Sequence, residues 1–137
     1  MASIRTVSLS LFDSRSRRNM QIAADIIIDW TPEDLRIGDD YYYTLEIHFW
    51  EADSGLRGGD DHIGRVPESG SSYPWTRFLD VPTSSPSIHR YWFRNADRVF
   101  NNEVGFDEIY AKVYLSRGIP NWANLASARS NTITGRF

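Results

Sequence analysis

Apolar residues recur at every second position in several short stretches of this chain. That period belongs to strands, whose alternate side chains face opposite sides of a sheet. Val7, Leu9 and Leu11 alternate with Ser8 and Ser10, which predicts a first strand with one polar face. Ile22 to Trp30 predicts a second, with Ile22, Ala24, Ile26, Ile28 and Trp30 inward and Asp25 and Asp29 outward. Ile27 sits among the outward residues, so part of that face is expected to be covered. Tyr41 to Glu51 predicts a third strand, with Tyr43, Leu45, Ile47 and Phe49 on one face. Its other face carries Tyr42, Thr44, Glu46, His48 and Trp50. So aromatic a face is either covered by a second layer or lines a groove. Shorter strands are expected at Ile63 to Val66, Trp75 to Val81, Ile88 to Arg94 and Asn131 to Phe137. Asp107 to Leu115 is the clearest late one, with Ile109, Ala111, Val113 and Leu115 inward and Tyr110, Lys112 and Tyr114 outward.

The connections are rich in turn-forming residues. Asp13 to Asn19 (DSRSRRN) is polar and aperiodic and reads as a solvated hairpin tip. At Thr31-Pro32-Glu33-Asp34 a threonine cap followed by proline in the first helical position predicts a turn or one short helical turn. Pro67 to Pro74 and the stretch PTSSPS are low-complexity loops. Asn95 to Glu103 suits a turn or one helical turn, and Ile119 to Ala128 a loop or short helix packed on a sheet. Seven or eight short strands at this spacing, with no sustained helical period, indicate an all-β fold. The expectation is an antiparallel β-sandwich forming one domain over residues 1–137, with a small closed β-barrel as the alternative.

Composition narrows the function classes. With 137 residues, 41% of them hydrophobic, the chain can bury a core without staples, and five Trp, seven Tyr and seven Phe argue for order. A formal charge of -3 and the lack of a basic run argue against nucleic acid as a partner. Of 15 basic residues only Lys112 is a lysine. Cysteine is absent, which excludes disulfides, thiolate catalysis and Cys-based zinc sites. No apolar stretch approaches ~18 residues, so no transmembrane helix is expected. MASIRTVSLSLF lacks an apolar region followed by a small-residue cleavage site, so no signal peptide is read there, and the compartment stays open.

One stretch concentrates candidate chemistry. Between the third strand and Ile63 runs a glycine-rich acidic loop carrying Glu51, Asp53, Asp60 and Asp61. Hard cations take several oxygen ligands from a flexible backbone, and no other part of the chain supplies so many. Residues FWEADSGLRGGDDHIG resemble a calcium-binding loop of the C-two family, the calcium-dependent phospholipid-binding sandwiches. The shared features are an acid-x-acid pair ending one strand and an acid-acid-x-Ile-Gly step opening the next. The resemblance implies Glu51, Asp53 and Asp61 as calcium ligands, with Arg57 near the loop tip where it could meet a lipid phosphate. It covers about 16 of 137 residues, and the loop is longer and earlier in the chain than is usual in that family. A solvated turn with Asx hydrogen bonds is the competing explanation.

Aromatic residues on strands and loop edges offer stacking faces or pocket walls; Tyr43, Trp50, Trp92 and Tyr110 are the candidates for a ligand wall. The histidines are His48, His62 and His89, and His62 beside Asp61 could act as a general base. No Gly-x-Ser-x-Gly, His-Glu-x-x-His or phosphate-cradling glycine loop is present. Three readings follow. In the first, Glu51, Asp53, Asp60 and Asp61 hold calcium in a non-enzymatic binding module that contacts a phospholipid head group or a glycan. In the second, a small barrel binds, cyclises or isomerises an apolar ligand. In the third, the outward aromatics form an interface in a homo-oligomeric structural subunit.

Overall fold

The computed structural model describes residues 2–14, 19–37, 42–52, 60–63, 75–94, 107–118 and 123–135. Among these residues nine strands and one short helix follow in the order β1 (Ser3–Ser14), β2 (Asn19–Asp29), α1 (Pro32–Ile37), β3 (Tyr42–Glu51), β4 (Asp61–Ile63), β5 (Trp75–Leu79), β6 (Ser87–Phe93), β7 (Asp107–Gly118), β8 (Ala123–Arg129) and β9 (Ile133–Gly135). They form two antiparallel sheets. The first has the order β1-β2-β6; the second runs β4-β3-β7-β8, with β5 also on β3 and β9 also on β7.

Register reduces the nine strands to seven paths. β4 pairs with Phe49 to Glu51 and β5 with Tyr43 to Ile47, so both lie along one edge of β3. In the same way β8 pairs with Lys112 to Arg117 and β9 with Asp107 to Ile109, both along the outer edge of β7. The described residues therefore make a sandwich of three paths against four. Both sheets are open, which removes the closed-barrel alternative: β1 and β6 end the first sheet, and among the described residues no ladder joins it to the second.

The alternation in the sequence sets the core. Ile22, Ala24, Ile26 and Ile28 on β2 are fully buried, as are Leu45, Ile47 and Phe49 on β3 and Ile109, Ala111, Val113 and Leu115 on β7. Trp30, Tyr43, Trp75 and Phe93 join them. Phe49 meets Phe93 edge-on at 5.0 Å across the two sheets. Burying side chains of this size contributes roughly 1.5–3 kcal/mol each, which is what holds the layers together.

The ends are closed by polar contacts. Thr31 Oγ1 accepts the Asp34 backbone N–H while Asp34 Oδ2 accepts the Thr31 N–H, both at 3.1 Å, a reciprocal cap that starts α1 as the sequence predicted. Trp30 donates its indole N–H to Ser87 Oγ at 2.8 Å, beside the cis Ser85–Pro86 peptide. Between β8 and β9 the chain leaves the ladder, and Ser130 Oγ takes its place by accepting the Ala111 N–H. The next residue, Asn131, grips the backbone of Leu9 on β1 with both side-chain atoms, at 2.7 and 3.0 Å.

Two expectations need correction. Of the span Ile119 to Ala128, expected as a loop or short helix, residues 123–128 belong to strand β8, which runs Ala123–Arg129. Alanine and asparagine are poor strand formers, and here pairing along β7 overrides that preference. The first and last strands also differ in length from their expected spans, β1 being longer and β9 shorter. The expected loops at Pro67 to Pro74 and Asn95 to Glu103 lie outside the described residues, as do residues 119–122.

Candidate functional site

The outward face of β3 is the one that the sequence marked as too aromatic for solvent. Pairing places Trp50 opposite Tyr110, His48 opposite Lys112 and Glu46 opposite Tyr114 on β7, and Trp50 opposite His62 on β4. Side chains directly opposite, or one step diagonal, on the same face of a sheet touch. They do so here. The Trp50 and Tyr110 rings lie parallel, 6.4 Å apart and 9° from coplanar. Lys112 Nζ sits over the Trp50 ring at 4.4 Å and Arg129 Cζ over the Tyr110 ring at 3.6 Å. Cations over ring faces are drawn there by the ring quadrupole.

These residues border an open groove of about 490 Å³ lined by Glu46, His48, Trp50, His62, Tyr114, Ser116 and Asn124. A second depression of about 320 Å³ adjoins it at Tyr114, lined also by Lys112, Ser127, Ala128 and Arg129. Register sets Lys112 directly opposite Arg129. Like charges so placed repel, and an anion between them would relieve that.

Polar contacts order the floor of the groove. His48 Nε2 lies 2.5 Å from Glu46 Oε1, two residues away on the same strand face. His48 Nδ1 lies 3.0 Å from His62 Nε2 across the β3–β4 ladder. Tyr114 meets the His48 ring edge-on at 5.4 Å. Partial desolvation of its largely exposed ring, with His48 and Lys112 nearby, holds the His62 imidazole below its ordinary pKa. Tyr110 donates its hydroxyl to Asp60 Oδ2 at 2.5 Å. Burial of the phenol, together with that carboxylate, pushes its pKa up to about 12.

The candidate residues are thus distributed unevenly. Trp50 and Tyr110 come together on the outer face of the second sheet, with Asp60 at its margin. Glu51 ends β3 half-buried, and its backbone pairs with Asp61 at the start of β4. Asp53 and Arg57 lie outside the described residues. Tyr43 is a core residue, 1% exposed and packed edge-on against Trp30 at 4.9 Å, so it lines no groove. Trp92 lies on the outer face of the first sheet beside Phe12, on the opposite side of the molecule from Trp50. Among the described residues no group of three or more His, Asp or Glu side chains could hold a metal ion. No described helix is long and apolar enough to cross a membrane.

Compared with protein-family models, with curated proteins and with solved structures, the chain has no match. Function must therefore be argued from the site. Glu46, His48, Tyr114, Ser116 and Asn124 were not singled out as ligand contacts, although the period-two pattern already put Glu46, His48 and Trp50 on one face. What the pattern lacked was the partner strand: β8 contributes Asn124, Ser127 and Arg129, and it went unrecognised.

Proposed function

We propose that the protein is a binding module whose ligand lies across the outer face of the second sheet, and that the ligand is an acidic glycan. The observation that carries this reading is the lining of the groove. Among the described residues a carboxylate, two imidazoles, an indole, a phenol, a hydroxyl and an amide line it, with no aliphatic side chain. Sugar hydroxyls donate and accept at once, which suits a wall of mixed donors and acceptors. The C–H faces of a pyranose suit aromatic surface such as Trp50 and Tyr114 supply. Lys112 and Arg129 beside the groove suit a carboxylate or sulfate on the same ligand.

The test is retention of the chain on immobilised acidic and neutral glycans, with anionic phospholipid vesicles as a parallel arm. Acidic glycans are expected to be bound, Asn124→Ala and Arg129→Gln to weaken binding about tenfold, and vesicles to retain nothing. Binding to no glycan, or binding indifferent to both substitutions, removes the reading. Retention on vesicles alone replaces the glycan by a phospholipid head group.

A second reading keeps calcium at the acidic loop of residues 51–64. Its support is the ladder that sets Glu51 opposite Asp61 at the mouth of that loop. An ion that binds only the folded chain stabilises it by ~2.7 kcal/mol at a hundredfold excess over Kd. Melting in millimolar calcium against chelator should then differ by several degrees; identical curves would remove it.

A further inference from the structure

The three histidines showed no metal-ligand spacing in the sequence, yet two of them meet. Two imidazole nitrogens bound to one ion at ~2.0–2.1 Å lie about 2.9 Å apart for a right angle at the metal and about 3.3 Å apart for a tetrahedral angle. His48 Nδ1 and His62 Nε2 are 3.0 Å apart, a hydrogen-bond distance in the metal-free chain that also lies within that span. The rings are tilted by 35° with centroids 5.2 Å apart, so they converge edge to edge and do not stack.

Glu46 sharpens the geometry. Its carboxylate at 2.5 Å favours the tautomer with the proton on His48 Nε2, whose Nδ1 lone pair faces His62. A carboxylate behind a histidine is the recurrent outer support of metal-bound imidazole, since it fixes the tautomer and raises ligand basicity. The two-residue spacing of Glu46 and His48 on one strand face supplies this support locally.

We propose that His48 and His62 form a two-nitrogen site for a divalent transition ion, with Glu46 as the positioning residue. Imidazole suits zinc, nickel and copper and not calcium or magnesium, and affinity should rank copper first. The remaining coordination positions face the groove and are left to water or to a heteroatom of a ligand, because the described residues hold no third such group around one centre. The inference stands apart from the acidic-glycan reading: a chain that binds zinc and no glycan would refute only that reading.

The experiment is calorimetric titration of the untagged full chain with zinc chloride, paired with electron paramagnetic resonance of the copper-loaded protein. One zinc per chain is expected. His48→Ala and His62→Ala should each weaken it at least about tenfold, Glu46→Gln about ten- to a hundredfold, and His89→Ala should leave it unchanged. His62 is exposed on a short edge strand, so His62→Ala keeps the fold and decides the matter if His48→Ala does not. Copper should show hyperfine splitting from two imidazole nitrogens, falling to one in His62→Ala. Absence of zinc binding, or zinc binding that survives both histidine substitutions, overturns the proposal.

Discussion

Replacing Asn131 by alanine tests how the two sheets are tied together. The Leu9 N–H and C=O belong to the edge of β1 that faces away from β2, and Asn131 satisfies both, at 2.7 and 3.0 Å. Leu9 itself is 3% exposed, so neither group recovers full hydration when the amide is removed. Each such hydrogen bond contributes ~0.5–1.5 kcal/mol net, and an unsatisfied buried partner costs ~1–3. About 2 kcal/mol is therefore expected for Asn131→Ala. For a chain of this length that is a fall in Tm of roughly 6–10 °C. Thr132→Ala, one residue on and exposed, should leave Tm unchanged. Asn131→Asp keeps the acceptor but sets a second acceptor against the Leu9 carbonyl, so it should recover little. Differential scanning calorimetry on the four proteins reads all of this. A shift below ~2 °C for Asn131→Ala would refute the clamp and leave the sheets held by apolar contact alone.

Other outcomes follow from the same structure. Ile47→Ala removes a fully buried side chain at the centre of β3 and should cost ~2–5 kcal/mol by urea denaturation. His89, with Ser87 Oγ at 2.9 Å, has its pKa lowered by burial, a trend only partly offset by Asp80. Its unfolded form binds the proton more tightly, so stability falls as pH drops through ~6.5. Wild type should lose stability relative to His89→Gln over that window, and parallel curves would refute it. Tyr110, with a pKa of about 12, should remain unionised in ultraviolet titration at a pH where the exposed tyrosines have ionised. Because its folded pKa is raised, its contribution to stability is present below ~10 and is lost as pH rises toward 12. Asp60→Asn should bring the titration of that phenol downward.

The legible part of this fold was the part set by alternation. β2, β3 and β7 each bury one face completely, and their inward residues can be named from the period alone. The cap at Thr31 was legible because its signal is local. β8 was not, because nothing in Ala123 to Arg129 favours a strand except the partner it finds on β7. The histidine pair was hidden in the same way. An acidic loop is conspicuous in a sequence, whereas the approach of His48 to His62 depends on the register of β4 on β3. A slip of one residue would send one histidine to the other face.

The two outer faces of the sandwich show why the second is the one to test. On the first sheet Asp25 is paired with Arg90 and Asp29 with Arg5, each charge answered by its opposite across the ladder. Exposed pairs of this kind contribute little, and the same face also leaves Phe12, Ile88 and Trp92 exposed. On the second sheet Lys112 and Arg129 face each other, both held over aromatic rings, and two histidine nitrogens converge with a carboxylate behind them. Two cations opposed in register repel, which the ring faces beneath them offset in part. A bound anion would relieve what repulsion remains between the two cations, and among the described residues the β3–β7–β8 face is where these cations, the histidine pair and the groove coincide.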